Sequence, residues 1–228
     1  MAARIVHVVG TDTGVGKTAV ACALARALRE RGTDVGVCKP FAAGEDPAGV
    51  PEDALQLLEA AGSGDPPELV SPVRYRLPAS PWAAALEEGR LPGIAEADAA
   101  LRALAAKHAV LVVEGIGGVA VPLAVGWTYL EFLANHPGQA VVVARAGLGT
   151  INHTLLTLEA LRIRGIPVAG VVLNRPRPGE DPSERRNPDA IEAFGRTRVL
   201  ASLPHLAAGG GNASLGKEAL ALLGFPSA

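Results

Sequence analysis

Short apolar runs alternate with helical stretches along these 228 residues, and this rhythm predicts an α/β fold with a doubly wound, mainly parallel sheet. Two further observations support it. Most of the runs are apolar throughout rather than alternating, as befits strands covered by helices on both faces. The first run also leads straight into a glycine-rich turn and then a helix. Strands are expected at 4–9, 35–39, 109–114, 140–144, 167–173 and 198–201. Helices are expected at 17–31, 52–61, 94–107, 150–164, 188–195 and 214–223.

Each element has a local reason. Ile5-Val6-His7-Val8-Val9 reads as a buried strand. The helix after it places Arg26, Arg29 and Glu30 on one side, is otherwise rich in alanine, valine and leucine, and is closed by Gly32. The second strand ends at Lys39-Pro40, which puts the Lys39 amine at the carboxyl edge of the sheet. Asp53 opens the helix 52–61, where an acid in the first turn is ordinary helix electrostatics. Val110-Leu111-Val112-Val113 ends at Glu114, and Gly115-Ile116-Gly117-Gly118 reads as a glycine-rich turn. After the strand 140–144, Gly147-Leu148-Gly149-Thr150-Ile151-Asn152-His153 begins a helix. Arg162 and Arg164 lie at that helix's negative end, Gly165 stops it and Pro167 opens the next strand. Three stretches break the rhythm. Residues 40–51 read as a loop, the proline-rich 62–92 as an excursion over the sheet, and 175–188 as a charged, proline-rich connection. No internal repeat or second boundary is visible, so one domain over 1–228 is expected.

Composition narrows the function classes. Aromatics are 4% and alanine, valine and leucine abundant, so the core should be aliphatic. The formal net charge is −2, and Arg185-Arg186 is too short for a basic patch, which argues against a nucleic-acid partner held by charge. Cys22 and Cys38 fall in predicted core elements and read as buried, reduced thiols. No apolar run is long enough to span a bilayer, and the first is too short for a signal peptide, so no membrane partner and a cytoplasmic location are expected.

Gly10-Thr11-Asp12-Thr13-Gly14-Val15-Gly16-Lys17-Thr18 is the stretch that carries chemistry. Between a parallel strand and a helix, its backbone N–H groups and the helix dipole converge on a phosphate. Lys17 would reach the terminal phosphates and Thr18 would ligate Mg2+. The strict pattern needs glycine at position 11, so this is a variant of the phosphate-binding loop, and the fold is expected to be P-loop NTPase-like. Glu114, at the end of a strand, is placed to hold Mg2+. The free N–H groups of the Gly147–His153 turn suit a carboxylate. Asn174, at the end of the strand 167–173, either reads a base edge or makes a turn.

Together these pieces resemble dethiobiotin synthetase, the ATP-dependent carboxylase of biotin synthesis. The matching motifs are Gly10-Thr11-Asp12-Thr13 with Val15-Gly16-Lys17-Thr18, then Lys39-Pro40, Asp53-Ala54-Leu55 and Val113-Glu114-Gly115 with Gly117-Gly118. Pro122-Leu123 and Gly149 with Ile151-Asn152-His153 complete the set, and the likeness runs to about residue 205. The resemblance implies a homodimeric ligase that converts 7,8-diaminopelargonate, CO2 and ATP to dethiobiotin, ADP and phosphate. It implies that Lys17 and Lys39 are catalytic and that Thr18, Asp53 and Glu114 hold Mg2+, which overturns the helix-capping reading of Asp53. Nucleotide contacts are implied for Gly14, Val15, Gly16, Lys17, Thr18, Ala19, Glu114, Gly115, Ile116 and Gly117. Arg175 would also bind the nucleotide, and Asn174 would contact adenine, with Pro204, His205 and Leu206 along the base. Thr11 and Ala43 would line the substrate pocket, with Gly149, Thr150, Ile151 and Asn152 holding the substrate carboxylate from the partner subunit.

Three positions depart from the family pattern. Ala43 stands where a serine is frequent and removes a hydroxyl, Gly209-Gly210-Gly211 lacks an acid for the ribose, and Glu131 replaces an aspartate. Two rival readings remain at this level. Partition or septum-site ATPases usually carry an extra lysine early in the loop, where this chain has Thr11-Asp12-Thr13. The amidation domain of corrin synthesis would normally be fused to a glutaminase.

Overall fold

The computed structural model describes residues 3–44, 49–175 and 181–204. The chain opens with β1 (Arg4–Gly10), α1 (Lys17–Glu30), β2 (Val35–Cys38), β3 (Phe41–Ala43), α2 (Glu52–Ala61) and α3 (Pro67–Val70). It continues with β4 (Val73–Tyr75), α4 (Pro81–Glu87), α5 (Ile94–Lys107), β5 (Val110–Gly118), β6 (Pro122–Ala124) and β7 (Trp127–Thr128). It closes with α6 (Tyr129–Ala134), β8 (Gln139–Arg145), α7 (Thr150–Ile163), β9 (Val168–Asn174), a 3-10 turn (Pro182–Arg185), α8 (Asn187–Gly195) and β10 (Val199–Leu203).

Six strands form one parallel sheet in the order β10-β9-β8-β1-β5-β2. Alternate residues of each strand feed opposite layers. Val6, Val8, Val110, Val112, Val141 and Val143 pack against α1 and α2. Val9, Leu111, Val113, Val142 and Ala144 pack against the helices of the other face, including α5, α6 and α7. Both faces are covered, which is why the strands read as unbroken apolar runs. Along α1, Val20, Leu24 and Leu28 recur at helical spacing and are fully buried. Truncating either leucine to alanine costs about 2–5 kcal/mol at such sites. Among the described residues no helix is long and apolar enough to cross a membrane.

All six expected strands are present, and so are the five expected helices that fall within the described residues. The helix expected at 214–223 and Gly209–Gly211 lie outside them. Three differences are instructive. Gly115–Gly118 is not a turn, because β5 runs on to Gly118 and pairs it with Gly10 across a register shift. The loop 40–51 contains β3, which pairs in parallel with β4 from the proline-rich stretch. That stretch also holds α3 and α4, with Pro67 and Pro81 at the first helical positions, where a missing N–H is harmless. Prolines mark helix starts here rather than absence of structure. Glu131 has a structural explanation: its carboxylate accepts from both the backbone N–H and hydroxyl of Thr128 at the start of α6, and pairs with Arg164 after α7.

One exposed-edge cluster ties three segments together. His108, after α5, hydrogen-bonds Asp34 (2.8 Å) through Nδ1 and Asp65 (2.7 Å) through Nε2, while Lys107 lies 3.3 Å from Asp65. Burial opposes the charge on His108, but the two carboxylates outweigh it and raise its pKa above the ordinary value. Burial likewise opposes charge on Asp65, and the Ser63, His108 and Lys107 bonds outweigh it and lower its pKa. The His108 contribution is therefore complete below its unfolded pKa of about 6.5 and lost as pH rises through the higher folded value. That of Asp65 is lost as pH falls through its lowered value. We expect His108→Ala to destabilise the protein by about 1 kcal/mol at pH 6, after allowing for solvent screening, and by less at pH 9. Melting temperatures of both proteins across that range check it, and a difference independent of pH rules out the charged bridge.

Candidate functional site

The site forms at the carboxyl ends of β1, β2 and β5, where doubly wound sheets bind ligands. Gly14 (φ 69°) and Gly16 (φ 96°) hold the loop in left-handed backbone that favours glycine. At Gly16 a Cβ would also meet the Asn174 side-chain amide, so any side chain there would displace Asn174. Asn174 locks that approach by donating to the Val15 carbonyl at 2.8 Å. The loop delivers Lys17 to the start of α1. Its ammonium donates to the carbonyls of Asp12 and Gly117, both at 2.9 Å. Burial above all, with the nearby Lys39 charge, pushes Lys17 down to about 8, against the opposing pull of Glu114 and Asp12.

Beside it lies a second cluster. The Thr18 hydroxyl is 2.8 Å from Glu114 Oε1 and 3.2 Å from Asp53 Oδ1. Lys39, directly after β2, pairs with Asp53 and lies 3.1 Å from Glu114 Oε1. Its backbone is anchored by a 2.7 Å bond from Lys39 N–H to the Val70 carbonyl. Glu114 is 2% exposed, and its Oε2 is buried without a hydrogen-bond partner. Asp53 reaches the cluster from the first turn of α2.

These groups face one cavity of about 580 Å3. Gly14, Gly16, Lys17, Thr18, Lys39, Ala43, Asp53, Glu114, Gly115, Ile116 and Gly117 all line it. An ATP-dependent dethiobiotin synthetase from Anaeromyxobacter dehalogenans (strain 2CP-C) is 50% identical over 201 residues, 88% of this chain and 90% of its own length. The chain belongs to the ATP-dependent dethiobiotin synthetase family. Another protein of that name, from Aquifex aeolicus (strain VF5), is 45% identical over 185 residues, covering 81% of this chain and 82% of its own. The AAA domain family model (AAA_26) matches residues 4–211. The fold is also that of the Pyrococcus furiosus cell division ATPase MinD, at a TM-score of 0.51 and 21% identity over 89% of this chain and 84% of that one. The activity of the dethiobiotin synthetase family is an ATP-dependent ligation that makes dethiobiotin.

Other expected site residues sit elsewhere. Val15 is fully buried and contributes its carbonyl to Asn174, while Ala19 is exposed on α1. Thr11 is not among the lining residues of the cavity, whereas Thr13 is. Arg175 and Pro204 line another cavity of about 850 Å3 at the ends of β8, β9 and β10. His205 and Leu206 lie outside the described residues. Gly149, Thr150, Ile151 and Asn152 do not line the first cavity of their own chain. The Thr150 side chain turns inward, with its hydroxyl 3.4 Å from that of Thr154. Pro78, Ala79, Ser80 and Val121 were not anticipated as lining residues. Ser80 brings a hydroxyl to the cavity lining. Its one sequence signal was Ser-Pro at a helix start, since Ser80 caps α4 through Ala83 N–H.

Proposed function

We propose that this chain, as one domain, carboxylates and cyclises 7,8-diaminopelargonate to dethiobiotin with ATP and CO2. Convergence of Lys17, Lys39, Thr18, Asp53 and Glu114 on one cavity supports this reading most directly. The attacking amine must be neutral, and an alkyl ammonium with a pKa of ~10 costs about 4 kcal/mol to deprotonate at neutral pH. Lys17 and Lys39 lower that cost by like-charge repulsion and stabilise the carbamate anion. A carbamate oxygen then takes the γ-phosphoryl group, with ADP leaving, a transfer that needs positioning and charge neutralisation. The second amine attacks the carbonyl of the mixed anhydride, expelling phosphate and closing the cyclic urea. Placing the substrate across a subunit interface would keep water from the anhydride.

The residues fit a magnesium ion. Glu114 Oε2 lacks a partner, and the Thr18 hydroxyl bridges Glu114 Oε1 and the Asp53 carboxylate. Among the described residues no three His, Cys, Asp or Glu side chains form a metal cage, which suits an ion completed by phosphates and water. Bound there, it would neutralise phosphate charge. Glu114→Gln is expected to raise the Mg2+ concentration for half-maximal activity by about tenfold. A Mg2+ titration that matches the unmodified protein would exclude Glu114 as a ligand.

The same reading makes the enzyme a cytoplasmic homodimer with substrate at the subunit interface. The outward face of α7 and the turn before it leave Leu148, Leu156 and Ile163 87%, 63% and 73% exposed, an apolar stripe beside Gly149–Asn152 that a second copy would cover. The test combines purified protein with ATP, Mg2+, bicarbonate and 7,8-diaminopelargonate, with mass spectrometry for dethiobiotin and sedimentation for the dimer. Product is expected only when all four are present. ATP hydrolysis without dethiobiotin would overturn the reaction, and a monomer that makes dethiobiotin would overturn the interface.

A further inference from the structure

The turn between β8 and α7 has little of its own to hold it. Gly147 has no side chain, Leu148 is 87% exposed and Gly149 sits at φ 89°. Two side chains from the segment after β9 supply the missing order. Asp181 Oδ2 accepts the Leu148 N–H at 2.8 Å, while its Oδ1 accepts the N–H and hydroxyl of Ser183 at 2.9 and 2.7 Å. Asn187, 5% exposed at the start of α8, donates its amide to the Ala146 carbonyl at 2.7 Å and the Gly147 carbonyl at 3.3 Å. The approach is close enough that a Cβ on Gly147 would lie 2.8 Å from Asp181 Oδ2. Both backbone polarities of the turn are thus met by side chains contributed by one other segment, from opposite ends of its 3-10 turn.

We propose that Asp181 and Asn187 are positioning residues that hold the Gly147–Asn152 turn in the shape that receives the substrate carboxylate. The inference rests on the reading, proposed above, that Gly149–Asn152 binds that carboxylate in the partner's site. In the first turn of α7 the Thr150 N–H bonds the Gly147 carbonyl at 3.3 Å, and the Ile151 and Asn152 amides have no carbonyl four residues back within the helix. Their direction is set by how the chain enters the helix through Leu148 and Gly149. Asp181 fixes the N–H side of that entry and Asn187 the carbonyl side. Neither touches the reacting atoms, so their effect falls on diamine binding rather than on phosphoryl transfer.

Steady-state kinetics of the full chain, varying diamine and ATP separately, test this. Asp181→Ala is expected to raise KM for the diamine about tenfold, with KM for ATP changed less than about twofold and kcat much less affected than the diamine KM. Asp181→Asn keeps one acceptor oxygen for Leu148 and should recover most of the loss, which a general loosening of the fold would not allow. An equal rise in both KM values would place the effect in the cavity of Arg175 and Pro204, which Asp181 also lines, and would overturn the proposal. Ile151→Pro, which deletes one of the amide N–H groups in the first turn of α7, where proline is tolerated, separates the two levels of inference. If it raises the diamine KM and Asp181→Ala does not, the positioning role is wrong and the carboxylate site stands. If neither variant raises it, the carboxylate site itself is wrong and the positioning role falls with it.

Discussion

Lys17→Ala is expected to lower kcat by about 10³-fold, the scale on which preorganised charge at a transition state is lost. Lys17 is 7% exposed and its ammonium is held between carbonyls of the loop and of β5, so it is fixed before nucleotide arrives. Charge on the transferred phosphoryl group would be met by an already oriented donor in a site with little water. The substitution leaves two carbonyls without their donor, at a cost of about 1–3 kcal/mol, so melting temperature should be measured beside turnover. Near-normal turnover in a folded variant would exclude Lys17 from transition-state stabilisation.

Lys39→Ala is expected to reduce kcat by about 10²-fold or more and to move the alkaline rise of the rate to higher pH. The sign follows from charge. Removing a cation beside the substrate amine relieves like-charge repulsion, raises the amine pKa and makes the neutral nucleophile scarcer at a given pH. The variant also leaves Asp53 and Glu114 without their shared cation. Lys39→Arg should rescue poorly, because a planar, more delocalised guanidinium does not replace a compact ammonium. A pH–rate profile and a rate that match the unmodified protein would remove Lys39 from the chemistry.

Several parts of this molecule were legible before any fold was known. The strands were, because a sheet covered on both faces demands residues such as Val110-Leu111-Val112-Val113, apolar on successive positions. The stop of α7 was, because Gly165 at φ 67° lets its N–H bond the Arg162 carbonyl while Ile166 bonds Leu161. The short elements of 62–92 were not. Strand β4 has three residues, and its pairing with β3 joins segments about thirty residues apart, which no local period reports. The extension of β5 was hidden for a related reason. Gly115, Gly117 and Gly118 have the composition of a turn, and Gly117 is left-handed at φ 58°, but the strand runs on because Gly118 pairs with Gly10 of β1 beyond the register shift.

The site divides along the same line. The phosphate cradle was determined by sequence alone, since Gly10 to Thr18 is contiguous and its backbone conformation, glycines and following helix are local properties. The acid and lysine cluster was decided by tertiary structure. By its local sequence Asp53 looked like an ordinary helix-start acid; the family resemblance marked it as an Mg2+ ligand, and the fold then set it against Lys39, 14 positions away, and Thr18, 35 away. Glu114 joins from 96 positions beyond Thr18 because β5 pairs with β1 in a register that puts Glu114 beside Val8. Local propensity encodes backbone shape over a few residues. Charges this far apart in the chain meet only when parallel strands, with burial on both faces fixing their register, bring their carboxyl ends to one edge.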